Sequence, residues 1–283
     1  MCRWLAYSGS PIMLEELLYK PEYSLIDQSL HSRQGVETTN GDGFGVGWYP
    51  AVEAGNGNLA MPALFRGVGP AWSDQNLREL SGSVTSPLFL AHIRASTGTA
   101  VQQTNSHPFR YGRWLWLHNG AVREFATVKR ELVLAVHPSL YPLIAGSTDS
   151  EVMFFLALTF GLQDEPVPAV ERMVGFVESV GHRHGVAHPI QMTVGTTDGE
   201  RLWVFRYSSE GNSRSLYFST AMATLRQMFP ENENLQRLSA ETRIVVSEPL
   251  RDLVGAWQPV PESSYGLVHK GADSLSPFTP SVP

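Results

Sequence analysis

One cysteine in 283 residues excludes an internal disulfide framework and fits a reducing compartment. No N-terminal stretch joins a basic segment to an apolar one in the manner of a signal peptide. The longest apolar-rich run, Val152 to Leu162, falls well short of the ~20 residues that a membrane-spanning helix needs. Charge is sparse too. Charged residues make up 17% of the chain and the net charge is −6, which gives no reason to expect nucleic acid or an anionic membrane as a partner. These absences leave a cytoplasmic globular chain as the expectation, and 42% hydrophobic residues are ample for its core. Neither an internal repeat nor a strong linker is present. A single domain over residues 1–270 is expected, followed by a Ser- and Pro-rich stretch, 271–283, that reads as a flexible tail.

What is there begins with the position of that one cysteine. It is residue 2, directly behind Met1. Methionine aminopeptidases remove Met1 when the next side chain is small, so a mature chain starting at Cys2 is expected. One residue would then carry a thiol with a reference pKa near ~8.5 and an amine near ~7.7–8.0. An amine of that strength is partly neutral at physiological pH and can take the thiol's proton, directly or through one water. Most lone cysteines are small buried hydrophobes. Chain ends, however, fray unless something holds them, and Cys2-Arg3-Trp4-Leu5-Ala6-Tyr7 reads as an apolar strand able to do so.

Strand candidates follow at Gly43–Tyr49, Leu64–Gly67, Leu88–Ala95, Trp114–Leu117, Ile190–Gly195, Arg201–Tyr207, Leu216–Ser219 and Arg243–Ser247. Thr197-Asp198-Gly199-Glu200 predicts a hairpin between two of them, and Ala54-Gly55-Asn56-Gly57-Asn58 a surface turn. Helices are predicted over Ile12–Tyr19, Arg123–Ala135 and Val167–Val180, with a fourth opening at Thr148 and running to about Gly161. Thr148 with Glu151 three residues later is a capping-box pattern. Grouped strands with two long helices in the middle favour antiparallel sheets over a regular βαβ alternation.

Five segments have the residue types of a chemical site. Asn40 to Tyr49 is glycine-rich, but no register gives G-x-G-x-x-G and the glycines lead into a strand, so a dinucleotide loop is rejected. Gly41, Gly43, Gly45 and Gly47 alternate, leaving one strand face bare for another backbone or a substrate. Arg94 with Ser96 and Thr97 ends a strand in the groups that grip a carboxylate, although a surface ion pair is the commoner use of an arginine. His118-Asn119-Gly120 ends another strand in donors suited to an oxyanion, or simply in a turn. Asp149 at a helix start suits an ammonium group, or the helix dipole alone. His182-Arg183-His184 with His188 fits no common zinc spacing and reads as a charged helix end, so neither metal nor cofactor is expected. A nucleophile with its own base, a carboxylate clamp, oxyanion donors and an ammonium acceptor together match a γ-glutamyl amide with free α-carboxylate and α-amine.

These residues resemble the glutaminase domain of class II glutamine amidotransferases, which are N-terminal-nucleophile hydrolases. The resemblance rests on Cys2, Arg94-Ala95-Ser96-Thr97, Asn105-Ser106-His107-Pro108, His118-Asn119-Gly120 and Thr148-Asp149-Ser150-Glu151, in the family's order. It is dense over residues 1–160 and thinner beyond. It implies an α+β fold, a four-layer αββα sandwich of two antiparallel sheets between helix layers. It also implies that Cys2 forms a γ-glutamyl thioester, that Asn119 and the Gly120 N–H stabilise the oxyanion, and that Arg94, helped by Thr97, and Asp149 bind the substrate. The Cys2-Arg3-Trp4 opening departs from the Cys-Gly-Ile of well-known members. With the glycine segment, it is more similar to a stand-alone subgroup of ergothioneine-pathway γ-glutamyl hydrolases and fungal glutathione-degrading subunits. The chain has no room for a synthase domain after the glutaminase domain, so any ammonia acceptor would need a separate partner, a synthase or peptidase subunit. Three readings stay open: a hydrolase of glutamine or another γ-glutamyl amide, a subunit passing ammonia to a synthase, and a non-catalytic γ-glutamyl-binding module. The leaving-group pocket is expected from loops such as His31–Thr39 and the region after Gly181.

Overall fold

The structure is a computed structural model, and it describes residues 2–33, 39–51, 61–96, 98–251 and 253–283. The expected turn at 54–58, most of the 31–39 loop and Thr97 lie outside those residues. In chain order the strands are β1 Arg3–Met13, β2 Phe44–Trp48, β3 Ala63–Gly67, β4 Thr85–Ile93, β5 Phe109–Tyr111, β6 Trp114–Val122, β7 Ile190–Thr197, β8 Leu202–Ser208, β9 Tyr217–Ser219, β10 Arg243–Val246, β11 Trp257–Pro259, β12 Ser264–His269 and β13 Ala272–Pro277. The helices are α1 Glu15–Leu18, α2 Leu25–Leu30, α3 Gln75–Ser81, α4 Phe125–Leu134, α5 Asp149–Thr159, α6 Pro166–Arg183, α7 Met222–Met228 and α8 Glu233–Arg237.

Two antiparallel sheets form, in the orders β11-β9-β10-β1-β4-β2-β3 and β13-β12-β8-β7-β6-β5. The period of two along each strand decides what each face meets. On β1, Trp4 and Ala6 turn toward the second sheet, packing with Leu115 and Leu117 of β6 and Leu88 and Leu90 of β4. Their neighbours Leu5 and Tyr7 face the other way, into a core shared with Leu17 of α1, Leu25 of α2, Leu77 of α3 and Leu225 of α7. On β6 the odd–even pattern is the same, with Trp114 and Trp116 facing α4, α5 and α6. The layers are therefore helix, sheet, sheet, helix, as the resemblance implied. Trp4 is fully buried at the centre, where truncation of such a ring costs about 3–5 kcal/mol.

α5 is apolar on nearly every side because it is covered by β6 beneath and by α4 and α6 beside it. Its N-terminus is half of the expected capping box. Thr148 Oγ1 accepts from Glu151 N at 3.3 Å, but Glu151 turns away to accept from Ala145 N (3.0 Å) and Gly146 N (2.7 Å). The Asp-Gly hairpin joins β7 to β8 with Gly199 at φ +93°, the left-handed conformation that favours glycine.

Three sequence expectations change. Ile12 and Met13 belong to the end of β1 rather than to a helix. Asn119 and Gly120 do not end β6 in a turn: they sit inside it, paired with Thr193 and Met192 of β7. Residues 272–277, whose composition reads as a tail, add an edge strand along β12, and Phe278 is buried beyond it. Backbone pairing of that kind needs no apolar alternation, so composition does not reveal it.

Candidate active site

Cys2 stands at the head of β1, in the central part of the first sheet, with β4 on one side and β10 on the other. Parity puts it on the face that Trp4 and Ala6 share, toward the second sheet. Its thiol is held by the residue that follows Arg94. Sγ accepts from Ala95 N at 3.3 Å and lies 3.4 Å from Ala95 O. Burial pushes the Cys2 thiol up, and the Ala95 N–H and neighbouring positive charge, including Arg94 and Arg3, oppose it. The Cys2 carbonyl is fixed as well, accepting from Asn119 Nδ2 and from Arg3 Nη1, both at 3.0 Å.

A cavity of about 260 Å³ opens beside the thiol. Its walls include Cys2, Arg94, Ser96, Thr99, His107, His118, Gly120, Phe125, Asp149 and Ser150. Arg94 emerges from the end of β4 and is almost wholly buried. Its Nη1 donates to Asp42 O (3.1 Å), and its Nη2 reaches Thr99 Oγ1 (2.6 Å), Ser96 Oγ (3.2 Å) and Ala100 O (3.2 Å). The guanidinium plane is thereby set before any ligand arrives.

Asp149, first residue of α5 and also in the cavity wall, accepts from Val122 N at 2.8 Å through Oδ2 and from Ser150 N at 2.7 Å through Oδ1. Ser150 Oγ links this carboxylate (3.1 Å) to His118 Nδ1 (2.8 Å). Oδ1 is thus occupied twice, and Oδ2, with one hydrogen bond, keeps a lone pair for a cationic ligand. Gly120 is obligatory where it stands, since a Cβ there would sit 1.9 Å from Gln191 O.

Behind the thiol three histidines are buried together. The His92 and His107 rings lie 4.2 Å apart, and none of their ring nitrogens meets a partner in hydrogen-bonding geometry among the described residues. Burial, then neighbouring positive charge, holds His92 down to about 3 and His107 well below the usual imidazole range. His118 is lowered by burial, with the Asp149 charge opposing. All three are neutral at physiological pH.

The fold thus brings Cys2, Arg94, Gly120 and Asp149 to one cavity. Asn119 lies just outside it with its amide on the Cys2 carbonyl, and Thr97 is not described. The alternating glycines of β2 serve a backbone approach: a Cβ on Gly45 would lie 2.1 Å from His107 O. His182 and Arg183 occupy the last turn of α6, where Arg183 and His184 both meet Glu131 on the surface. Sequence reasoning missed Thr99 and Phe125, which no motif marks. A hydroxyl five residues past a buried arginine, across a Gly98 turn, was the available signal for Thr99. No helix among the described residues is long and apolar enough to cross a membrane.

The chain matches the family model for class-II glutamine amidotransferases over residues 13–276. It is 33% identical to the probable glutamine amidotransferase DUG3 of Saccharomyces cerevisiae, over 98% of this chain and 84% of that one. A γ-glutamyl-hercynylcysteine sulfoxide hydrolase of Mycobacterium tuberculosis is 32% identical over 43% of this chain and 50% of its own. Among solved structures, a glutamine aminotransferase class-II domain protein from Silicibacter pomeroyi superposes with a TM-score of 0.73 at 30% identity, covering 99% of each chain. The glutamine phosphoribosylpyrophosphate amidotransferase of B. subtilis superposes with a TM-score of 0.65 over 99% of this chain and 50% of that one. At 16% identity that likeness is one of fold alone.

Proposed function

The chain belongs to the class-II glutamine amidotransferases, and from that premise we propose that it hydrolyses glutamine or another γ-glutamyl amide through a thioester on Cys2. The observation that carries this reading is the single cavity whose walls join a thiol, a preset arginine, a helix-start carboxylate and an obligatory glycine. Each group answers to one part of a γ-glutamyl substrate. Arg94 takes the α-carboxylate, with Thr97 assisting, and Asp149 takes the α-ammonium. That leaves the γ-carbonyl beside Cys2 and Gly120.

Loss of Met1 frees the Cys2 amine, which accepts the thiol proton. Sγ then attacks the γ-carbonyl, and the developing oxyanion is met by the Gly120 N–H and the Asn119 amide. The C–N bond breaks as the ammonium returns its proton to the departing amine. Water, deprotonated by the same amine, attacks the thioester, releasing the γ-carboxylate and restoring the thiol. The neutral buried histidines put no competing cation next to the attacking sulfur.

The two curated relatives carry names that differ on the fate of the amine, one an amidotransferase and the other a hydrolase. Hydrolysis needs only the groups of this site and water. Transfer of ammonia needs an acceptor site as well, and it shares the same first half-reaction.

The test is intact mass before and after incubation with 6-diazo-5-oxo-L-norleucine, a reactive glutamine analogue. The expected result is a chain lacking Met1 that gains one adduct, mapped to Cys2 and absent from Cys2→Ala. A processed chain that takes no adduct, or takes it elsewhere, overturns the assignment. Cys2→Ala should also lose all turnover while still binding the substrate, because Arg94 and Asp149 remain.

A further inference from the structure

Arg3 lies on the side of β1 away from the cavity. Parity groups it with Leu5 and Tyr7, toward the apolar core that α1 and α2 cover. Only 2% of its side chain is exposed, and the same holds for its ion-pair partner Glu248, which follows β10. Taking two charges out of water is costly, and apolar side chains of like volume usually serve stability as well or better. Stability alone therefore does not account for this pair.

Every nitrogen of the Arg3 guanidinium has a partner. Nε donates to Glu248 Oε2 at 2.5 Å, Nη2 donates to Ser32 Oγ, and Nη1 turns back to the Cys2 carbonyl at 3.0 Å. Glu248 is fixed in its turn. Its Oε1 accepts from the Tyr23 hydroxyl and from Arg33 N (3.0 Å), and its backbone carbonyl accepts from Gln28 Nε2 at 3.3 Å. Tyr23 precedes α2, Gln28 belongs to it, and Ser32 and Arg33 follow it. The helix layer thus reaches the Cys2 carbonyl through one guanidinium.

Cys2 needs such a hold more than an internal nucleophile would. Registered pairing of β1 with β4 begins at Arg3, opposite Ile93, and Cys2 lies one residue before it. With Met1 removed, as the thioester reading above requires, only the bond to Arg3 ties Cys2 to the chain. The Cys2–Arg3 peptide group is planar and includes Cys2 Cα, from which the thiol and the amine both hang. Fixing the Cys2 carbonyl therefore places nucleophile and base together. Asn119 holds that carbonyl from the second sheet and Arg3 from the first. Two bonds set a plane that one would leave free to turn.

We propose that Arg3 is a positioning residue: clamped by Glu248 and Ser32, it holds the Cys2 carbonyl so that the thiol and the α-amine meet the γ-carbonyl in line. The proposal rests on the thioester reading above. Arg3 touches no substrate and moves no proton, and it acts only through Cys2.

The experiment follows inactivation by 6-diazo-5-oxo-L-norleucine as adduct formation in the intact mass. Its concentration dependence separates KI, the capture of the glutamyl group, from kinact, the attack by the thiol. The main variant joins Arg3→Met to Glu248→Gln. It discharges the pair, keeps the side-chain lengths and leaves the Tyr23 hydroxyl and Arg33 N an acceptor. Cys2, whose size decides Met1 removal, is unchanged. kinact should fall about 10- to 100-fold, the range for a reacting group displaced by up to about an ångström, while KI stays within about threefold and every chain is labelled in the end. Arg3→Lys keeps the charge without the planar fork, and its kinact should also lie more than about threefold below the parent. It carries the test alone if the double variant does not fold. A kinact within about threefold of the parent in either variant overturns the proposal, as does a KI that rises in step with the loss. A merely structural role would lower the labelled end point and leave the kinact of the labelling fraction at the parent value, and that result overturns it too. A parent chain that labels at Cys2 while the variants label as fast keeps the thioester reading and loses this one. A parent chain that takes no adduct loses both.

Discussion

Asn119 donates its side-chain amide to the carbonyl of Cys2 over 3.0 Å, and this one bond ties the second sheet to the residue that carries the thiol. It is backed by a short relay. The Trp4 indole donates to Thr193 Oγ1 at 3.0 Å, and Thr193 Oγ1 donates to Asn119 O at 3.3 Å. An amide nitrogen has two hydrogens. One holds Cys2 in place, which leaves the other for an oxyanion.

Asn119→Ala should therefore show two losses of different kinds. As an oxyanion donor, its removal should lower kcat about 10²–10³-fold with a smaller change in KM. As a strut between sheets, its removal should cost about 1 kcal/mol in urea unfolding. A kcat within about threefold of the parent would remove Asn119 from the chemistry and leave it the strut alone.

Arg94→Lys should impair substrate binding far more than it impairs the fold. The guanidinium spreads its donors over Asp42 O, Ser96 Oγ, Thr99 Oγ1 and Ala100 O and lines the cavity. A lysine ammonium is a point donor and cannot reproduce that fork. KM for a γ-glutamyl substrate should rise about 10- to 100-fold, and an unchanged KM would place the α-carboxylate elsewhere.

The buried histidines make the protein acid-sensitive in a defined window. His92 is held down to about 3 in the fold, by burial first and by the positive electrostatic surroundings, Arg94 among them, next. In the unfolded chain it titrates near ~6.5. Between those values the unfolded state binds a proton that the folded state refuses, so stability falls as pH drops from about 6.5 toward 3. Each such histidine contributes up to about 1.4 kcal/mol per pH unit. His92→Leu should lower the slope of unfolding free energy between about pH 6 and 5 by roughly 1 kcal/mol per pH unit. An unchanged slope would mean that the ring is protonated, or exposed, in the folded protein.

The sandwich was legible in the sequence because its long strands alternate cleanly, Trp4 and Ala6 against Leu5 and Tyr7. β5, β11, β12 and β13 escaped: β5 and β11 have three residues each, β13 is a Ser-rich edge, and β12 turns Ser264 and Gly266 inward rather than apolar side chains. At the site, residue types announced Cys2, Arg94, Gly120 and Asp149, but not their meeting, which depends on three strands and a helix start far apart in the chain. Asn119-Gly120 shows how local chemistry misleads. Asn-Gly is a turn by propensity, yet β7 pairs straight across it.

The glycines of β2 give the last prediction, because they separate space from conformation. Gly45 pairs with His92 and Arg66 in the sheet. A Cβ there would lie 2.1 Å from His107 O and 2.8 Å from Arg66 Cγ. The arginine stem can move aside, but a backbone carbonyl cannot move without carrying its residue along. His107 lines the cavity beside Cys2, so Gly45→Ala should act on fold and site together. The expected cost is about 3 kcal/mol, the upper part of the range for overpacking, with a matching fall in turnover. Gly69→Ala is the control, since nothing lies within 4 Å of a Cβ at that position. It should be neutral, or stabilise by up to about 1 kcal/mol by restricting the unfolded chain. Equal melting temperatures for the two variants would mean that the segment before Pro108 does not rest on β2, and the wall of the cavity that contains His107 would then have to be redrawn.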